Sequence, residues 1–186
     1  MCFAILACGY VPRCALDFSD SGAVRFQEII AVMTACGFSV HDVSRVELDS
    51  ASGLPRFNMP LELGADLALR LAGPAIQRAR KTLVLDKEKH RYDKMLSDIS
   101  GMDIEAHNDD PRIAIKSVRD WLNVNRGDDR ILPGATAIAD DYSTYLKIAP
   151  DIITELRLDP HDELPHRDYL YVVEQALPLI ETARSS

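Results

Sequence analysis

The stretch 38–64, FSVHDVSRVELDSASGLPRFNMPLELG, concentrates the side chains whose types and spacing suit chemistry. Glu62 stands near the start of a helix that Asn58 can cap and Pro60 can open, where the helix dipole favours an anion. A carboxylate so held can stabilise a positive charge developing beside it, or attack it as a nucleophile. Asp42 and Ser44 lie at the end of an apolar, β-branched run, and Arg45 and Arg56 lie in the connection that follows. With Arg13 and the amides of the helix start, these arginines can pair with a phosphate. Each residue also has a plainer reading. Glu62 can serve only the dipole, Asp42 can cap a loop, and the arginines can be solvated or paired at the surface.

The elements that would position these groups alternate in kind. Residues 2–8, CFAILAC, form a short unbroken apolar run ending at a glycine and read as a buried first strand. The loop 9–21 carries Tyr10 and Arg13, with Tyr10 free to line a site or to pack its ring against a sheet edge. Ser21 can cap a helix to about residue 35, and Gly37 ends it. A second strand spans 38–43, and the loop after it, about a dozen residues, is long for a compact αβ connection. The helix 58–71 places Leu61, Ala65, Ala68 and Ala72 on one flank and Leu63, Leu67 and Leu71 on the next, leaving a polar stripe of Glu62, Asp66 and Arg70.

Gly73 and Pro74 stop that helix. A third strand follows at 83–85, closed by Asp86, then a charged helix or helical turn at 87–100, a short fourth strand at 103–107 and an amphipathic helix at 110–123. This alternation implies right-handed crossovers and a parallel sheet covered on both faces. Ligands in such sheets bind beyond the carboxyl ends of the strands, where strand order reverses. Two more helices are expected, at 135–156 with a break near Pro150 and at 167–182. Residues 1–130 are expected to form the α/β domain, and residues 131–186 a helical extension packed on it.

Composition narrows the partners. A chain of 186 residues with net charge −8 is not built around a nucleic-acid backbone or an anionic membrane surface. No apolar run approaches the ~18 residues of a membrane span. No basic residue precedes the N-terminal apolar run, so a cytoplasmic location is expected. Cys2, Cys8, Cys14 and Cys36 show no CxxC pair, and His107, His161 and His166 are isolated in sequence. Apolar filler is therefore the reading for the thiols, and no metal or other cofactor is expected. His41 reads as a core or edge histidine. Asp86 would suit the phosphoacceptor of a receiver domain, but no acidic pair follows the first strand, and no GxGxxG supports a dinucleotide fold.

The sequence HDVSR, a loop and then RFNMPLELG resembles the signature of the TIR-like and nucleoside 2-deoxyribosyltransferase-like group, in which a strand ends in Asp and Ser and the next helix presents a glutamate just before Leu-Gly. SDISGMDIEAHN is similar to a segment before a late strand in bacterial TIR-like proteins. The resemblance covers roughly residues 1–125 and rests mainly on 42–64. It implies a flavodoxin-like, three-layer αβα sandwich with four to five parallel strands. It also implies a site that breaks or remakes an N-glycosidic bond of NAD, a nucleoside or a nucleotide. Glu62 would take the family glutamate's role, and Asp42, Ser44 and Asn58 its flanking positions. A module of the same fold that senses a nucleotide or assembles with partners, without turnover, is the alternative. The longer loop before Asn58 and the C-terminal helices depart from a minimal TIR domain. Those helices can cover the site, support a homo-oligomer or complete the core.

Overall fold

A computed structural model describes residues 1–17, 22–46 and 53–185. The chain forms two compact units, Met1–Asp20 with Val118–Ser186, and Ser21–Ser117. This division does not coincide with the expected one at residue 130. Part of the difference lies at the N-terminus, where the run read as a first strand is a helix, α1 (Cys2–Ala7). A short apolar run does not distinguish a strand from a buried helix by periodicity. Here Gly9 settles the outcome, taking φ +74. Its N–H bonds the Leu6 carbonyl at 2.8 Å, and the Tyr10 N–H bonds that of Ile5 at 3.0 Å. This paired closure is the Schellman arrangement that ends helices at a left-handed glycine.

In the first unit α1 packs with α6 (Ala135–Glu155) and α7 (His166–Ser185). Phe3 is the keystone, its ring centroid 5.3 Å from that of Tyr142 and 5.3 Å from that of Tyr145. Ile138, Ala149, Val172, Val173 and Ala176 are buried in the same unit. The break expected near Pro150 is absent, and α6 runs through it. Thr154 Oγ1 donates to the Pro150 carbonyl at 2.8 Å, and Thr182 Oγ1 to the Pro178 carbonyl of α7 at 2.9 Å.

The second unit is α/β. Its open parallel sheet holds three strands among the described residues, β1 (Phe38–Asp42), β2 (Lys81–Asp86) and β3 (Glu105–Ala106), in the order β1-β2-β3. Phe38 pairs with Lys81 and Leu85 with Glu105. Four to five strands are therefore not observed. With the first expected strand helical, strand order does not reverse among the described residues, so the expected switch-point crevice is not formed by this sheet. The helices are α2 (Arg25–Ala35), α3 (Asn58–Ala72), the short α4 (Ala75–Arg78) and α5 (Pro111–Asn125), which continues beyond the unit. Of the two forms expected at 87–100, a helix or a helical turn, the chain takes the second, as two 3-10 turns, Tyr92–Lys94 and Ser97–Ile99. Ser21, the expected cap of α2, and the middle of the loop before α3, residues 47–52, lie outside the described residues.

Val43, Leu63, Val84 and Tyr92 form the core beneath α3, with Leu67, Leu96, Ile99, Met102 and Ile104 packed against it. The orientation of α3 differs from that expected of an amphipathic helix. Leu61, Ala68, Leu71 and Ala72 are exposed, whereas Asp66, in the expected polar stripe, is buried. The reason is a set of polar partners on the strands.

Candidate functional site

Alternation along β1 puts Ser39 and His41 on one sheet face, and the register sets Thr82 of β2 beside Ser39. This is the face that α3 covers. Asp66, 0% exposed, receives Ser39 Oγ–H at 2.7 Å and Thr82 Oγ1–H at 2.6 Å, both on Oδ2. His41 Nε2 lies 3.6 Å from the same oxygen, and Arg80 Nε lies 2.7 Å from Oδ1. The Arg80 N–H is not aimed at the carboxylate, so that contact is ionic rather than a hydrogen bond. Arg80 Nη1 donates to Gln77 Oε1 at 2.9 Å, which steadies the guanidinium at the foot of β2. Burial pushes the Asp66 carboxyl upward, but His41, Thr82 and Ser39 outweigh it and hold the group down at about 2.

Glu62 lies one helical turn before Asp66 and is half-buried. Burial raises its carboxyl above the ordinary glutamate value, while the nearby His41 and Arg25 draw it partway back. His41 therefore acts on both α3 carboxylates: one sealed and firmly ionised, the other partly open and more readily protonated.

A second polar group sits at the carboxyl ends of the strands. Asp42, its side chain 23% exposed, accepts the Ser44 N–H at 2.9 Å and makes a long 3.4 Å contact with His107 Nε2. His107 Nδ1 accepts the Asp109 N–H at 3.1 Å, which places the ring proton of neutral His107 on Nε2, toward Asp42. Both ring nitrogens are thus engaged. The consecutive left-handed residues Asn108 and Asp109, φ 53 and 57, shape this turn, and both residue types tolerate that conformation.

Asp86 is buried at the end of β2 and takes the Lys87 N–H at 2.6 Å and Arg91 Nη2 at 2.7 Å. Arg91 also donates to the Ser44 carbonyl at 2.7 Å, so one guanidinium ties β2 to the chain leaving β1. Lys87 Nζ, 2.6 Å from Asp109 Oδ2, lowers that exposed carboxyl, with His107 and Arg45 contributing.

The expected site residues are thus distributed as follows. Asp42 and Ser44 stand together at the β1 end, with Ser44 buried. Arg45 is exposed near Asp109; Arg56 and Asn58 are exposed at and before the start of α3. Asn58 is the first helical residue; Phe57 precedes it at the cap position. Tyr10 and Arg13 belong to the other unit, where the Arg130 guanidinium lies 5.1 Å from the Tyr10 ring centre and Arg13 Nε bonds Asp17 Oδ2 at 2.9 Å. Sequence reasoning missed Asp66, Arg80, Arg91 and His107 as parts of the site. His107 carried a usable signal, since it closes a strand of a parallel sheet; Arg91, in an irregular charged stretch, carried none. No family model, curated protein or solved structure matches this chain.

Proposed function

We propose that the unit Ser21–Ser117 acts on the N-glycosidic bond of NAD, a nucleoside or a nucleotide, as a hydrolase or transferase, with Glu62 as its essential carboxylate. The observation that supports this reading is the state of Glu62. It is partly withdrawn from water, raised by burial, and held on a helix anchored one turn later by Asp66. Cleavage of a ribosyl C–N bond builds positive charge on the sugar ring. A carboxylate with incomplete solvation stabilises that charge more strongly than a fully hydrated one, or attacks it. In this reading Asp42 and Arg45 at the sheet edge, with Arg56 and Asn58 at the start of α3, contact the nucleotide. The TIR-like, flavodoxin-like assignment belongs to the same proposal and rests on the residues of 42–64.

The test is incubation of the full chain with NAD and with several nucleosides and nucleotides, following release of the base by chromatography, and the same assay on Glu62→Gln. Base release by wild type, reduced about a hundredfold or more in the variant, is the expected result. Release at equal rates by both would remove Glu62 from the chemistry. Nucleotide binding without base release would leave a sensing module in place of an enzyme.

A further inference from the structure

We infer that the helical unit Met1–Asp20 with Val118–Ser186 carries a site for a zinc-class divalent cation, built from Cys14, Asp17 and His166. The thiol, carboxylate and imidazole donor atoms of these residues all lie within 4.8 Å of one another. Cys14 and Asp17 are brought to one side by the 3-10 turn Ala15–Asp17, whose Asp17 N–H bonds the Cys14 carbonyl at 3.1 Å. His166 is the first residue of α7, and Arg167 beside it donates to the Asp17 carbonyl at 3.3 Å, fastening the turn to the helix.

The independent sign of a ligand is His166 itself. Its side chain is 9% exposed, its Nε2 has no hydrogen-bond partner, and that nitrogen lies 3.7 Å from Asp17 Oδ1. A buried imidazole nitrogen without a partner forfeits a hydrogen bond, a cost that metal ligation removes. The 3.7 Å between His166 Nε2 and Asp17 Oδ1 suits that role, because two ligands about 2.0–2.3 Å from a tetrahedral ion sit roughly 3.3–3.8 Å from each other.

Asp17, 7% exposed, divides its oxygens between two tasks. Oδ2 accepts Arg13 Nε at 2.9 Å and the Cys14 N–H at 3.1 Å, which fixes the carboxylate and leaves Oδ1 turned to His166. Such outer hydrogen bonds orient metal-binding carboxylates. The sulfur and nitrogen donors select a borderline ion over magnesium or calcium, which prefer all-oxygen shells. Charge also balances. Binding displaces the Cys14 thiol proton to solvent, and thiolate and carboxylate then neutralise the two positive charges at a helix start that would otherwise repel them. Three protein ligands leave the fourth position to water.

The experiment is titration of the reduced, metal-free full chain with Co(II), followed by Zn(II). Wild type should take up one equivalent at micromolar metal, with a thiolate-to-cobalt charge-transfer band that zinc displaces. Cys14→Ser should abolish the band and His166→Asn should weaken binding by at least ~10-fold, an effect no smaller than that of losing an outer-sphere partner, while Cys36→Ser should leave both unchanged. A second measurement needs no variant: zinc should slow alkylation of Cys14, located by peptide mass spectrometry, and leave Cys36 labelling unaltered. The site is overturned if wild type binds neither ion at micromolar concentration. It is equally overturned if the band persists in Cys14→Ser, or if zinc does not protect Cys14.

Discussion

Replacing Asp66 with asparagine tests the buried anchor beneath α3. The native carboxyl, held down at about 2 from an ordinary value of 3.8, prefers its ionised form by nearly two pH units, or about 2 kcal/mol. The sign follows from proton binding. Between pH 4 and 2 the unfolded chain takes up this proton while the folded chain resists it. Asp66 therefore contributes its full stabilisation above about pH 4 and loses it as pH falls toward 2. Asparagine keeps the shape but leaves Arg80 buried without its counter-ion, a change that typically costs about 3–5 kcal/mol at neutral pH. Urea unfolding followed by peptide-resolved hydrogen exchange across β1 and β2, repeated from pH 7 to pH 2, reads both quantities. The variant should be less stable at pH 7 and should show a shallower acid loss. A neutral-pH cost under about 1 kcal/mol, or superimposable acid limbs, would show that the carboxylate is not the charged centre of the seam.

Three further outcomes follow from other parts of the molecule. Phe3→Ala removes a buried ring wedged between Tyr142 and Tyr145 and should cost about 3–5 kcal/mol, measured by thermal unfolding; a change below 1 kcal/mol would mean that α1 does not anchor the helical unit. Pro150→Ala loses little buried surface, because Pro150 is exposed, and restores a helix N–H; it should gain up to ~3 kcal/mol, and a lower melting temperature would contradict this. Glu62→Gln should leave the melting temperature at pH 7 unchanged or higher. The raised native carboxyl binds its proton more tightly than the unfolded chain does, so stability falls as pH rises through that value, a loss that glutamine avoids. A clear destabilisation at pH 7 would give Glu62 a structural role.

Local signals placed β1, β2, α2, α3, α5 and the two C-terminal helices close to where the fold has them. Each has a strong apolar period or a β-branched run, bounded in several cases by glycine or proline. Where the reading failed, tertiary partners outweighed the local pattern. CFAILAC is compatible with strand and helix alike, and only the left-handed Gly9 and the space between Tyr142 and Tyr145 make it a helix. Pro150 does not break α6, whose buried Ile138, Tyr145 and Ile152 continue on one packed side across it. Within α3, an aspartate in a polar stripe argues for solvent, and nothing nearby in sequence shows that Ser39, Thr82, His41 and Arg80 will converge on it. His166 and Asp17 illustrate the same limit, because residues so distant in the chain meet only when α7 docks.

The inward aspartate also governs how α3 can move. A helix seated on leucines alone can roll by a few tens of degrees and trade one apolar contact for another at little cost. One seated on a carboxylate with directional donors cannot, because rotation in either sense strands a charge in a dry interior. Position 62, a single turn upstream, inherits that fixed azimuth, so its side chain always leaves the helix in the same direction, within electrostatic reach of His41 on β1.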